Sequence, residues 1–156
     1  MPFHGYSDAS FASEEDGKSI SGNIFMSGGG PIIWGSRKQR MVVLSTTEAE
    51  YVALTEAMRE AAWLRNLYKE LGYEQTEPML IRGDNQGSMS IAEDPQFHKR
   101  TKHFNVKVHY IREKIKEKTI KVEYCPTAEM IADIMTKPLA RARHAQHSES
   151  MGMPLT

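Results

Sequence analysis

Ser45 to Gly72 reads STTEAEYVALTEAMREAAWLRNLYKELG, and this stretch decides the fold. Ser45-Thr46-Thr47-Glu48 has the S-x-x-E spacing of a capping box, in which the serine caps the helix start and the glutamate reaches back to it. Gly72 falls where a left-handed residue closes a helix. Between them Ala49, Ala53, Ala57, Ala61, Leu64, Tyr68 and Leu71 recur at spacings of three and four, and Trp63 and Leu67 widen the stripe.

Upstream, the chain reads as strands. Phe3 to Ser10 is a short run containing Asp8, and Ser19 to Ser27 alternates in part. Gly28-Gly29-Gly30-Pro31 is a strong turn, after which Ile32-Ile33-Trp34 opens a third strand. Tight turns between consecutive strands predict an antiparallel meander. Downstream, Pro78 to Arg82 is a compact apolar strand ended by Gly83-Asp84-Asn85, and a short helix follows to about Ala92, broken by Asp94-Pro95. A basic amphipathic helix starts at Thr101 or His103 and carries Val106, Val108, Tyr110, Ile111 and Ile115. Thr119 to Tyr124 alternates as a strand, and Cys125-Pro126-Thr127 turns into a last helix over Ala128 to Leu139. From Arg141 the periodicity ends, and 141–156 is expected to be a flexible tail on a single domain of residues 1–140.

A strand meander followed by helix, strand, helix, strand and helix is α/β. It implies a mixed sheet with helices on its faces, since crossovers of this kind make the later strands parallel. Ligand sites in such sheets form outside the strand ends. Asp8 lies late in the first strand and Asp84 ends the fourth, so parallel neighbours would bring both carboxylates out on one edge. Trp34, Trp63 and Tyr51 read as core.

Composition fits a chain with a real core. Of 156 residues, 40% are hydrophobic and 26% charged. The single cysteine, Cys125, excludes an internal disulfide and gives no zinc-ligand pattern, which favours a reducing compartment. No apolar run approaches the roughly 20 residues of a membrane span, so no membrane association is expected. The abrupt start, almost on the first strand, reads as an excised domain. Twenty Lys plus Arg balance twenty Asp plus Glu, but the charge is segregated. From His98 to Lys121, nine basic residues (Lys99, Arg100, Lys102, Lys107, Arg112, Lys114, Lys116, Lys118, Lys121) face only Glu113 and Glu117. Arg37, Lys38 and Arg40 form a second cluster. Such stretches are either a solvated helix face or a surface for a polyanion.

Four acids stand where strands pass to helices: Asp8, Glu50, Asp84 and Asp133. Two unit charges at about 4 Å cost on the order of 4 kcal/mol in a typical protein environment. A gathering of four is therefore natural only around divalent metal, and two metal ions held this way are the equipment of a phosphodiesterase. Glu48 and Glu50 compete for one place. Glu48 has a sufficient job at the cap, and Glu50 lies about 200° further around the helix, beside the packed stripe, which selects Glu50.

The motifs GYSDASFASEEDGKSISGNIFM, WGSRKQRMVVLSTTEAEYVAL, DNQGSMSIA, RTKHFNVKVHYIREKI and MIADIMTKPL closely resemble, in order and spacing, the ribonuclease H domain of copia-type retrotransposon polyproteins. The resemblance covers Gly5 to about Leu139. It implies a ribonuclease H-like fold, a five-stranded mixed sheet (an antiparallel meander of three strands plus two parallel strands) flanked by helices. It implies hydrolysis of the RNA strand of RNA–DNA hybrids during reverse transcription, with two Mg²⁺ ions, or Mn²⁺ as substitute, and no small-molecule cofactor. The family's first-strand Asp falls on Asp8, its first-helix Glu on Glu50, its fourth-strand Asp on Asp84 and its last-helix Asp on Asp133. These four are the expected catalytic and metal-binding residues. Oxygen-only ligation suits these hard ions rather than zinc. The products would carry a 5′ phosphate and a 3′ hydroxyl.

By analogy with related hybrid nucleases, Glu50, Asn85 and Gln86 are placed to read the ribose 2′ hydroxyl. Thr46 and Thr47 either contact the nucleic acid or serve only capping and packing. Lys38, Arg40, Lys99, Arg100 and Lys102 are candidates for phosphate contacts. The chain departs from many cellular ribonucleases H in lacking a histidine in the loop Cys125-Pro126-Thr127-Ala128. His103 is either its substitute or a helix-start residue with a capping or phosphate-contacting role. The implied partners are the hybrid and the neighbouring reverse transcriptase domain, and the implied location is the cytoplasm, in a virus-like particle, or the nucleus. Two other readings stand beside this one: a weak or inactive module that only tethers nucleic acid, and another nuclease of the same fold, such as a junction resolvase or integrase core.

Overall fold

The computed structural model describes residues 3–84 and 102–154, with the side chains of Lys102 and His103 excepted. Three antiparallel strands come first: β1 (Phe3–Ser10), β2 (Ile20–Ser27) and β3 (Gly30–Lys38). Gly28 and Gly29 take positive φ (60° and 85°) in the β2–β3 turn, a backbone state that costs glycine nothing. Then β4 (Met79–Gly83) joins β1 in parallel, and β5 (Ile120–Tyr124) joins β4 in parallel. The spatial order β3-β2-β1-β4-β5 is the expected five-stranded mixed sheet.

Helix α1 (Thr46–Glu70) forms as the capping signals require. Ser45 Oγ accepts the Glu48 N–H at 3.1 Å, and Glu48 Oε2 accepts the Leu44 N–H at 2.7 Å, one residue before the cap. At the far end Gly72 N–H donates to Lys69 C=O and Tyr73 N–H to Tyr68 C=O, the paired bonds of a Schellman motif. Ala49, Ala53, Ala57, Ala61 and Leu64 are buried along the stripe. Trp63, expected in the core, is 54% exposed: it lies two residues, about 200°, from Ala61 and so faces away from the stripe.

The sheet has a core on each face. On one, Phe3, Phe25, Ile81 and Ile120 pack against Tyr51, Leu54 and Met58 of α1 and Val108 and Ile111 of α2 (Lys102–Lys116). On the other, Tyr6, Ile24 and Met26 meet Met130, Ile131, Ala132 and Met151. Trp34 was also expected in the core and is 61% exposed, because β3 is an edge strand whose second face is only partly covered.

Two expectations for the C-terminal third need correction. The helix expected over Ala128 to Leu139 is a pair of short 3₁₀ turns, Thr127–Glu129 and Ile131–Met135, separated by Met130 in an extended conformation. Met130, Ile131, Ala132 and Asp133 are buried in succession, which a helix with a single buried stripe cannot achieve. Thr127 opens the first of these turns, and no side-chain hydrogen bond caps that start. The stretch from Arg141, expected to fray, is helix α3 (Arg141–Ser150), with His147, Ser148 and the following Met151 buried. Its buried side is mostly polar, so no apolar period announced it. The short helix expected up to Ala92 lies outside the described residues. No described helix is long and apolar enough to cross a membrane.

Candidate metal centre

The register Ser7↔Gly83 between parallel β1 and β4 sets Asp8 and Asp84 side by side at one end of the sheet. Glu50 arrives from the start of α1. The helix can come close because Ala49 and Ala53 present only methyl groups to Ala9, with Val43 packed alongside. The approach is pinned twice: Ala9 N–H donates to Glu50 Oε1 at 3.3 Å, and Gln39 Nε2 donates to Ala49 C=O at 2.9 Å and to Ser21 Oγ at 3.0 Å. Carboxylate oxygens of Asp8, Glu50 and Asp84 consequently lie within 4.8 Å of one another.

Asp133 sits in the second 3₁₀ turn rather than in an α-helix, and like Asp8 it is 1% exposed. The same turn supplies two groups that the sequence reading passed over. Thr136 donates its hydroxyl to Asp8 Oδ2 and lies 3.2 Å from Asp133 C=O. Lys137 places Nζ 3.3 Å from Asp8 Oδ2 and 3.2 Å from Asp133 Oδ1. Both belong to the MTKPL motif, and a lysine four residues after an acid is the signal that was there to read.

Crowding and burial leave Asp8, Glu50 and Asp84 reluctant to ionise. Burial, with added repulsion from Asp133 and Asp84, raises Asp8 to about 7 against the pull of Thr136 and Lys137. Glu50 is raised to about 9, mainly by burial and then by Asp8 and Asp84. Asp84 is raised by burial and by Asp133. Burial opposes the charge on Lys137, but Asp8 and Asp133 outweigh it and raise its affinity for the proton.

The residues fit a hard divalent cation. Asp8 Oδ1 is buried without a hydrogen-bond partner, the ligand set is oxygen only, and like charges are brought together that a dication would reconcile. Of the described groups of three or more His, Cys, Asp and Glu with this spacing, this is the one present. His147 is buried in α3 with Nε2 unpartnered and lies near enough to Asp133 to feel its charge, an arrangement the sequence did not suggest.

The nucleic-acid candidates are placed unevenly. Thr46 is exposed and Thr47 half-buried at the start of α1, where the capping bond is made by Ser45. Lys38, one of the candidate phosphate contacts, is paired with Asp16 at 2.8 Å and Glu14 at 3.8 Å. Arg37 is paired with Glu60 at 3.4 Å. Arg40 is exposed and has no described partner. Asn85, Gln86, Lys99 and Arg100 lie outside the described residues, as do the side chains of Lys102 and His103. Part of the basic stretch is a locally paired surface: Lys114 meets Glu117 at 3.1 Å and Lys121 meets Glu123 at 2.7 Å.

No family model matches the chain. It is 40% identical over 150 residues to the retrovirus-related Pol polyprotein of transposon TNT 1-94 from Nicotiana tabacum; the match takes in 96% of this chain and 11% of that polyprotein. The chain therefore spans about a tenth of the length of this relative. Among solved structures it superposes on ribonuclease H1 from Halobacterium salinarum with a TM-score of 0.61, at 22% identity over 87% of this chain and 95% of that one. LC11 ribonuclease H1, solved in complex with an RNA/DNA hybrid, matches with a TM-score of 0.59, at 15% identity over 86% of this chain and 93% of that one. By sequence and fold together, the chain is a ribonuclease H-fold homologue of a segment of copia-type retrotransposon Pol polyproteins.

Proposed function

We propose that this chain is a metal-dependent endoribonuclease that hydrolyses the RNA strand of RNA–DNA hybrids during reverse transcription of a retrotransposon. The observation that carries the reading is the convergence of Asp8, Glu50 and Asp84 from three separate elements to within 4.8 Å, with Asp133 buried beside them. Mg²⁺, or Mn²⁺ in its place, with two ions in the full site, supplies Lewis acidity and lowers the pKa of the attacking water.

The chain's own groups hold and orient. Asp8 keeps Oδ1 open while its Oδ2 is fixed by Thr136 and Lys137. Glu50 is aimed by the Ala9 N–H, and in the ion-free site its carboxyl holds a proton at neutral pH that it must release on loading. Asp84 and Asp133 complete the acidic wall, Asp84 directly after β4 and Asp133 in the second 3₁₀ turn. Hydrolysis by water in line, rather than by the ribose hydroxyl, leaves a 5′ phosphate and a 3′ hydroxyl.

The fold-related LC11 ribonuclease H1 with its hybrid supports this substrate class. Homology to Pol polyproteins supports a partner within the same polyprotein, which we take to be a neighbouring reverse transcriptase domain. The location that goes with this reading is a virus-like particle in the cytoplasm, or the nucleus. The test is cleavage of a hybrid labelled on its RNA strand. Cleavage should require Mg²⁺ or Mn²⁺, stop in EDTA and vanish in Asp84→Asn. Survival of cleavage in either condition removes the mechanism. Tight hybrid binding without any cleavage would make the chain a tethering module instead.

A further inference from the structure

The acidic site is asymmetric in a way that four carboxylates alone do not explain. Asp8, Glu50 and Asp84 bring oxygens within 4.8 Å of one another, while Asp133 stands outside that trio. Between Asp8 and Asp133 lies the Lys137 ammonium, 3.3 Å from one and 3.2 Å from the other. Both of these carboxylates are 1% exposed, so the ammonium is the charge that makes their burial tolerable. Asp8 is divided in the same sense. Its Oδ2 is taken by Lys137 and by the Thr136 hydroxyl, while Oδ1 has no hydrogen-bond partner.

We infer that Lys137 is a tethered cation standing at the second ion position, so that the free protein takes up one divalent ion and admits a second only when this ammonium leaves. The inference rests on the metal-site reading above and refines its two-ion form. A first ion needs no rearrangement of Lys137, because among the described residues the trio it would join meets an ammonium only through Asp8 Oδ2. A second ion held by Asp8 and Asp133 would meet a positive charge already ion-paired with both. The ammonium has somewhere to go. Its side chain is 34% exposed and carries the ammonium on four flexible methylenes, and the backbone N–H that donates to Asp133 C=O at 3.2 Å need not move for the head to swing out. A tethered monovalent cation thus keeps the site assembled when ions are absent and makes the two binding steps unequal.

The test counts ions. Metal-free chain is titrated with Mn²⁺ and the free ion followed by electron paramagnetic resonance. Wild type should bind one ion, with the second weaker by tenfold or more. Lys137→Met, close in length but uncharged, should tighten the second step about tenfold and leave the first within about threefold, as expected for removal of a like charge at close range. Lys137→Arg should retain the unequal steps. Two equivalent ions in wild type, or an unchanged second step in Lys137→Met, overturns the inference and leaves the nuclease reading standing. No ion bound by any of the proteins would sink that reading and this one together.

Should Lys137→Met fail to fold without ions, the wild type suffices. In a nitrogen-15 spectrum of lysine ammonium groups, a protected Lys137 signal should persist through the first equivalent of Mg²⁺ and disappear only beyond it. Loss at the first equivalent, or no protected signal in the ion-free chain, refutes the tethered cation.

Discussion

Gly22 lies directly opposite Asp8 in the β1–β2 register, and a Cβ built on it would fall 2.6 Å from Thr136 Cγ2. Met135 Cβ would be 2.8 Å away and Ala132 C=O 3.1 Å away. The missing side chain is what lets the Asp133 turn descend on the strand, so that Thr136 and Lys137 reach Asp8. Gly22→Ala should therefore destabilise the chain by about 1–3 kcal/mol through overpacking and weaken ion binding as the turn lifts. Gly35→Ala is the control, because its Cβ would meet Asn23 at an ordinary 3.5 Å. Thermal unfolding and Mn²⁺ titration of both variants check this; equal behaviour would show that the close approach does not position the turn.

The ion-free site should make stability fall as pH rises. Asp8 and Glu50 are raised from ordinary values of 3.8 and 4.5 to about 7 and about 9 in the folded chain. Between those limits the folded state binds more protons than the unfolded one, so each added pH unit favours unfolding. The contribution is complete below about pH 4 and lost as pH climbs through about 7 and then about 9. Melting temperature in EDTA should decline from about pH 5 to about pH 9, and saturating Mg²⁺ should flatten the decline by replacing the protons. Glu50→Gln should remove the upper part of the slope. A melting temperature in EDTA that rises or holds level over this range, in wild type, contradicts the picture.

The parts legible in the sequence are those set by local signals. The β2–β3 turn follows from its glycines, α1 from Ser45, Glu48 and Gly72, and the meeting of Asp8 with Asp84 from their places at the ends of parallel strands. Glu50 follows from its angle on the helix relative to Glu48. The illegible parts depend on tertiary neighbours. Four successive buried residues, Met130 to Asp133, carry no helical period, so the two 3₁₀ turns cannot be told from an α-helix before their neighbours are known. Helix α3 buries His147 and Ser148, side chains that a search for apolar stripes discards. Trp34 alternates like a core residue, and only the strand order shows that it stands at an edge. The partners of Lys38 come from the β1–β2 connection, brought beside it by the pairing Ile20↔Lys38.

The pairing of Lys38 separates two cations that look alike in sequence. Lys38 is already answered by Asp16 and Glu14, whereas Arg40 is exposed with no described partner. Removing one cation that neutralises a phosphate should reduce the salt dependence of binding by about one unit of slope on a log–log plot. Arg40→Gln should lower hybrid affinity and show this reduction. Lys38→Gln should leave the slope unchanged. Hybrid affinity measured across a series of salt concentrations decides it, and a reduced slope for Lys38→Gln alone would reverse the assignment.

Helix α3 turns residues that look dispensable into part of the fold. Met151, 4% exposed, closes the second core against Tyr6, Ile24, Met26 and Met130, and Met151 N–H donates to His147 C=O at 3.1 Å. His147 is buried close to Asp133, so the helix also backs the turn that carries the fourth acid. Met151→Ala should cost about 2–5 kcal/mol, the range for truncating a buried side chain of this size. Deleting 141–156 should cost more and should weaken ion binding as well, since the Asp133 turn loses its cover. Met153→Ala, at 48% exposure, should cost little and serves as the reference. The decisive comparison is denaturant unfolding of the three proteins, with Mn²⁺ titration of the truncated one. A truncated chain that unfolds like the full one would mean that α3 rests on the surface without holding the second core closed.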